Sequence, residues 1–279
     1  MQWRHPEITR IIQLALAEDI GPGDVTTQAC VPAEAEGQGV FLARQPLVLA
    51  GVELLPEIYE LAGGDARVRP LRKSGDEMRG GETVAEVQGP LRALLTAERT
   101  ALNFLQRLSG VATLARRFAK VVEGTRCRVL DTRKTTPGMR RLEKLAVAAG
   151  GAANHRFGLF DGILIKNNHI TAAGGIKAAI ERARAFGPAS GLPVEVEVRS
   201  PRELEEALAC GATHILLDNF SVAEAAEAVR RIEGRATVEI SGGVTLETLR
   251  AYAETGADFI SAGAITHSAP AADLSFRIV

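Results

Sequence analysis

Behind Pro6, the apolar residues Ile8, Ile11, Ile12 and Ala15 recur three and four positions apart, the spacing of one helical face. The pattern predicts an amphipathic helix over roughly residues 6–18, with proline in its first turn and Gly21-Pro22-Gly23 ending it. Asp24 then stands where a helix-capping side chain would. From Gly37 to Gln88 the spacing shortens. Val40–Ala43, Leu47–Ala50, Val68–Leu71 and Thr83–Val87 are brief apolar runs punctuated by Gly and Pro, which predicts strands of a mixed sheet with a helix near Glu53–Leu61. From Leu91 to about Val122 helical spacing returns through Leu94, Leu95, Leu102, Leu105 and Leu108, with an interruption expected at Ser109-Gly110 and a domain change placed there.

Beyond Cys127 the grammar is strand, loop, helix, repeated. Apolar runs end near Asp131, Lys166, Glu197, Asp218, Ser241 and Ser261, as the βα units of a barrel or an open parallel sheet would. An open sheet needs chemistry only at its switch point, whereas here nearly every strand end carries a polar group, which favours a barrel. Only about six units fit, fewer than the eight of a complete barrel.

Charge changes this picture only locally. Lysine plus arginine number 33 against 34 acidic residues, so no global excess favours nucleic acid or an anionic membrane. Cys30, Cys127 and Cys210 lie far apart without a C-x-x-C, which argues against a disulfide framework or zinc site and fits a reducing cytoplasm. No apolar run approaches the roughly 20 residues that span a bilayer, and MQWRHPEITR lacks a signal-peptide core.

Within this balance five basic groups, Arg133, Lys134, His155, Arg156 and Lys166, fall at neighbouring strand ends. Singly, each reads as a solvated loop charge or a core histidine; together they call for a polyanion, since guanidinium pairs two-pronged with carboxylate or phosphate. In VEVEV, Glu195 and Glu197 share one strand face and need partners: ribose hydroxyls, hydrated Mg²⁺ or a lysine. Asp218 joins them. Ser241-Gly242-Gly243 and Ser261-Ala262-Gly263-Ala264 offer small-residue turns where backbone N–H groups can approach a phosphate.

DTRKTTPGMR, NHRFGLFDGILIKNNH, EVEV, LLDN, SGG and SAGAITHS, with EDIGPGDVTT and AERTALNFLQRLSGVAT upstream, resemble the quinolinate phosphoribosyltransferases of NAD biosynthesis over nearly the whole chain. The resemblance implies an incomplete six-stranded α/β barrel (111–267) beside an amino-terminal α/β sandwich (1–110) to which 268–279 return. It implies transfer of phosphoribose from 5-phosphoribosyl 1-pyrophosphate to quinolinate with loss of carbon dioxide, assisted by Mg²⁺, in a cytoplasmic homodimer.

The substrate residues it implies are Thr132, Arg133, Lys134, His155, Arg156, Lys166 and the two small-residue turns, with Arg99 reaching the neighbouring subunit's pocket. Lys134, Lys166, Glu195 and Asp218 are the expected catalytic groups; the resemblance assigns sugar and metal contact to Glu195, in preference to Glu197, and to Asp218. Asn167 departs from the family, which often carries an acid there. The rival readings are a molybdenum-associated pyrophosphorylase-like member of the same superfamily, a Schiff-base aldolase barrel using Lys166, and a non-enzymatic phosphosugar-binding protein.

Overall fold

The computed structural model describes residues 2–63 and 65–279, with 187–190 described as backbone alone. In chain order the elements are α1 (Pro6–Ile20), α2 (Val25–Cys30), β1 (Glu36–Ala43), β2 (Leu47–Val48), a 3₁₀ turn (Val52–Leu54), α3 (Leu55–Leu61), β3 (Arg67–Pro70), β4 (Glu77–Met78), β5 (Thr83–Pro90) and α4 (Leu91–Val121). Then follow β6 (Arg128–Leu130), α5 (Arg140–Ala149), β7 (Ile163–Ile165), α6 (Asn167–Ala173), α7 (Ile176–Ser190), β8 (Val194–Val198) and α8 (Pro201–Ala209). The chain ends with β9 (His214–Asp218), α9 (Val222–Ile232), β10 (Thr237–Ser241), α10 (Leu246–Ala253), β11 (Phe259–Ser261), α11 (Ala264–His267) and β12 (Leu274–Ile278).

The chain divides into two compact units. The first comprises the chain up to Arg116, Thr135–Gly151 and Ile265–Val279; the second comprises Arg117–Lys134 and Ala152–Ala264. Against the expected division after residue 110, the first unit therefore runs further along α4 and takes in α5.

The first unit is built on an antiparallel sheet, β12-β1-β5-β3, with β2 and β4 paired beside it. Phe41 of β1 is fully buried and stacks against Phe276 of β12 and the edge of Tyr59 of α3. The amphipathic face expected of α1 is present, with Ile8, Ile12 and Leu16 buried, and the helix starts where Glu7 N–H donates to His5 Nδ1. Asp24 caps α2, accepting from Thr27 N–H at 2.9 Å.

The expected interruption at Ser109-Gly110 is absent: α4 runs straight through it. Both residues are packing devices. Ser109 is fully buried and its hydroxyl accepts from Ala50 N–H at 3.0 Å. At Gly110 a Cβ would meet the Pro270 carbonyl oxygen at 2.0 Å, so only glycine lets the backbones approach.

The second unit is a six-stranded parallel sheet in the order β6-β11-β10-β9-β8-β7. Its chain-neighbouring strands β6 and β7 lie at opposite edges. This is the order of a six-stranded α/β barrel left open between its first two strands; at that edge the end of β6 makes an isolated bridge from Leu130 to Ala153, ahead of β7. The alternation read in the sequence sorts the faces: Val196, Val198, Val238 and Ile240 are buried toward the helices while Glu195, Glu197 and Glu239 take the other face. Each such apolar side chain contributes about 1.5–3 kcal/mol on burial, and Leu204, Ala225, Ile232 and Leu249 are the buried residues the helices supply in return.

Candidate active site

The carboxyl ends of the second unit's strands open on a cavity of about 650 Å³. All five basic groups singled out in the sequence line it: Arg133, Lys134, His155, Arg156 and Lys166. Local hydrogen bonds set them there. Asp131, fully buried at the end of β6, accepts from Asn154 Nδ2 at 2.9 Å and from His155 N–H at 2.8 Å, pinning the second basic segment to the first strand end. Asp161 closes the following loop by accepting from Phe157 and Gly158 N–H at 2.6 and 2.8 Å. Arg156 donates to Gly162 O at 3.0 Å. Burial, and then the neighbouring Arg133 guanidinium, hold Arg156 below the usual arginine range, a repulsion that an anion between the two would relieve. Lys166 opens α6, its N–H donating to His169 Nδ1 at 2.9 Å.

Thr132, Ser241, Gly242 and Gly243 line the same cavity. Gly242 has φ +93°, and a Cβ there would lie 2.3 Å from Asn219 Oδ1 and 2.9 Å from Asn219 N, so the close turn requires glycine. Asn219, itself left-handed at φ +59°, donates its side-chain amide to Asp218 at 2.9 Å.

Glu195 and Glu197 do share the interior face, but Glu197 is the one that lines the cavity, with its carboxylate 3.7 Å from Lys166 Nζ. Two residues along a strand advance it by about 6.6 Å. That step leaves Glu195, to which the resemblance assigns sugar and metal contact, 3.4 Å from His155 Nε2 and outside the lining of this cavity. Glu239 of β10, unnoticed in the sequence although Val238 and Ile240 flank it as the valines flank Glu197, lies 3.4 Å from the same His155 nitrogen.

His155 Nδ1 meanwhile accepts from Arg156 N–H at 2.6 Å. Both ring nitrogens are engaged within the chain, and the Nδ1 contact also fixes the Arg156 backbone. The ligand atoms of His155, Glu195 and Glu239 lie within 4.8 Å of one another, compact enough to share protons or enclose a cation. Burial works against a proton on the imidazole, but the Glu195 and Glu239 carboxylates outweigh it and push the histidine up to about 10. Burial likewise raises Glu239.

The turn after β11, apart from Ser261, and Arg99 fall outside the cavity. Ala262, Gly263 and Ala264 do not line it, and the Ala262 N–H donates to Leu130 O at 3.0 Å; only Ser261 of that turn reaches the cavity. Arg99 is exposed on α4 in the first unit and forms no ion pair among the described residues. Gln106, near it in sequence, is occupied with Leu274 O at 2.9 Å. Asn167 accepts from the Arg199 guanidinium, so its amide oxygen already meets a cation.

No helix among the described residues is long and apolar enough to cross a membrane. Family models match both parts of the chain: Quinolinate phosphoribosyl transferase, N-terminal domain, over residues 24–109, and the C-terminal domain over 111–277. The chain is 40% identical over 276 residues to the probable nicotinate-nucleotide pyrophosphorylase [carboxylating] of Bacillus subtilis, covering 98% of this chain and 94% of that one. It is 44% identical over 273 residues to the nicotinate-nucleotide pyrophosphorylase [carboxylating] of Mycobacterium leprae, covering 96% and 95%. The solved nicotinate-nucleotide pyrophosphorylase of Francisella tularensis superposes with a TM-score of 0.92 at 37% identity, over 99% of this chain and 98% of that one. By sequence and by fold, the chain belongs to the quinolinate phosphoribosyl transferase family.

Proposed function

We propose that the chain joins quinolinate to 5-phosphoribosyl 1-pyrophosphate, yielding nicotinate mononucleotide, pyrophosphate and carbon dioxide. The observation that carries this reading is the single cavity in which Arg133, Lys134, Arg156 and Lys166 face a glycine turn and the carboxylates Glu197 and Asp218. Quinolinate brings two adjacent carboxylates and the second substrate a phosphate and a pyrophosphate, so the cation load matches the anion load. Arg133 and Arg156 hold the two carboxylates, His155 setting Arg156 through its backbone. Lys134 and Lys166 lie between acceptor and leaving group, and the Ser241-Gly242-Gly243 turn takes the 5-phosphate.

Bond-making passes through an oxocarbenium-like sugar and needs no protein nucleophile; alignment and neutralisation of the departing charge are what these residues supply. The oxygen donors of Glu197 and Asp218, which line the same cavity, fit Mg²⁺, whose shell waters and phosphate oxygens would complete. Bound there, Mg²⁺ supplies neutralisation of the leaving pyrophosphate. Once alkylated, the ring nitrogen carries a positive charge that accepts the electrons released when the neighbouring carboxylate leaves.

Two further proposals belong to this reading. The enzyme works in the cytoplasm, and it works as a homodimer in which Arg99 completes the partner's site. Against the aldolase alternative, Lys166 is about half exposed and paired with Glu197, whereas a Schiff-base lysine is activated by an apolar pocket or an adjacent cation.

The test is an assay of quinolinate and, separately, nicotinic acid with 5-phosphoribosyl 1-pyrophosphate and Mg²⁺. Nicotinic acid leaves one guanidinium without its anion, a cost of about 3–5 kcal/mol for breaking a buried pair. It is therefore expected to turn over at least a hundredfold more slowly. Comparable rates would sink the substrate assignment, and a lysine adduct trapped by borohydride would favour the aldolase.

A further inference from the structure

We propose that Glu239 is the proton donor of the decarboxylation step, delivering its carboxyl proton to the ring carbon that carbon dioxide leaves. The inference rests on quinolinate occupying the large cavity, as argued above. When the carbon–carbon bond to the departing carboxylate breaks, its electron pair stays on the ring carbon beside the alkylated nitrogen. That carbon must gain a proton. The Glu239 O–H bond breaks as the new C–H bond forms, and Glu239 is left as a carboxylate until a proton from water restores it.

The geometry singles out this residue. In the reading above Arg133, Lys134, Arg156 and Lys166 hold the substrates' anions and Glu197 and Asp218 face Mg²⁺; all six line the cavity. Glu239 lines the same cavity yet is only 4% exposed, and its Oε1 has no hydrogen-bond partner among the described residues. An ionised carboxylate with a buried oxygen that no protein donor meets is disfavoured relative to the carboxylic acid. Its other oxygen faces His155 Nε2 at 3.4 Å. His155 is itself pushed toward its protonated form, but it stands between two carboxylates, 3.4 Å from Glu195 as well as from Glu239, and so does not by itself offset the burial that holds a proton on Glu239. Burial raises Glu239 most; His155 opposes that, and the nearby Glu195 charge raises it further.

A return route for the proton is also present. A second cavity of about 290 Å³ runs inward from His214, Thr237 and Phe259, the first residues of β9, β10 and β11, to Glu195, His155 and Glu239. Solvent entering by the amino ends of the strands can reach Glu239 while substrate occupies the other side.

Glu239→Gln keeps the shape and removes the proton. In single turnovers with quinolinate carrying ¹⁴C in its 2-carboxylate, pyrophosphate and labelled carbon dioxide are read separately. The variant is expected to release pyrophosphate within about threefold of the wild-type rate while carbon dioxide release falls by about a hundredfold or more. The dicarboxylated mononucleotide then accumulates. Pyrophosphate and carbon dioxide slowing together, or neither slowing, would overturn the proposal. Failure of the wild type to form any pyrophosphate from quinolinate would overturn the substrate reading instead.

Infrared difference spectra of the wild-type enzyme guard against a variant that does not fold. A protonated carboxyl carbonyl band is expected at neutral pH and is expected to diminish during turnover. Its absence, or a stoichiometric transition metal recovered with the purified protein, would refute the proton-donor role.

Discussion

Two glutamates two residues apart on one strand have different chemistry open to them because of depth alone. Glu197 reaches the cavity and Lys166, whereas Glu195 stops beside His155. If Glu197 is the carboxylate that holds Mg²⁺, Glu197→Gln should weaken Mg²⁺ binding at least tenfold, about 1.4 kcal/mol. Calorimetric titration of Mg²⁺ in the presence of pyrophosphate measures this, and Glu195→Gln should leave that affinity within about twofold. Equal losses in the two variants would return the metal role to Glu195. At this scale the sequence revealed which face a side chain takes but not how far along the barrel axis it lies. VEVEV alternates visibly, yet the level of its two acids is set by how β8 registers against β7 and β9, which involves residues distant in the chain. Glu239 was illegible for a related reason: one acid between Val238 and Ile240 acquires meaning only when His155 and Glu195 arrive from other elements.

Among the elements, the barrel grammar was legible and the joints were not. Strand ends at Asp131, Lys166, Asp218, Ser241 and Ser261 were placed to within a residue by their apolar runs. The Ser109-Gly110 pair, in contrast, looks like a helix breaker because small residues serve both to end helices and to let backbones touch, and only Pro270 distinguishes the two uses. A second joint lies just along α4. Glu143 of α5, its side chain fully buried, accepts from Arg107 at 2.7 Å and from the Thr136 hydroxyl and N–H at 2.7 and 3.0 Å. Arg107 also donates to Thr266 O at 2.6 Å and Ala269 O at 3.0 Å. This network draws Thr135–Gly151 and the chain's end into the first unit. Arg107→Ala leaves Glu143 buried without its cation and should lower stability by about 3–5 kcal/mol in urea titrations. Replacing both residues by methionine should recover most of that loss. A loss below about 1 kcal/mol for Arg107→Ala would reduce the network to a surface-type pair.

At the scale of the whole molecule, Arg99 is set apart from the other candidate cations. Arg133, Lys134, Arg156 and Lys166 belong to the second unit, and Arg99 stands exposed on α4 of the first without an ion-pair partner among the described residues. If it completes a partner chain's cavity, Arg99→Ala and Arg156→Ala proteins should each be nearly inactive, since each change spoils every site of its own homodimer. Co-refolding the two inactive proteins alters the count. In a two-fold dimer one site of each heterodimer inherits both defects and the other inherits neither. Random pairing makes half the dimers mixed, and half of their sites are intact, so about a quarter of wild-type activity should return. If Arg99 serves only its own chain, no mixed dimer contains an intact site. Heterodimers isolated through two different tags and still inactive would therefore exclude the shared site. Recovery near a quarter would establish a dimer whose every cavity draws residues from both chains.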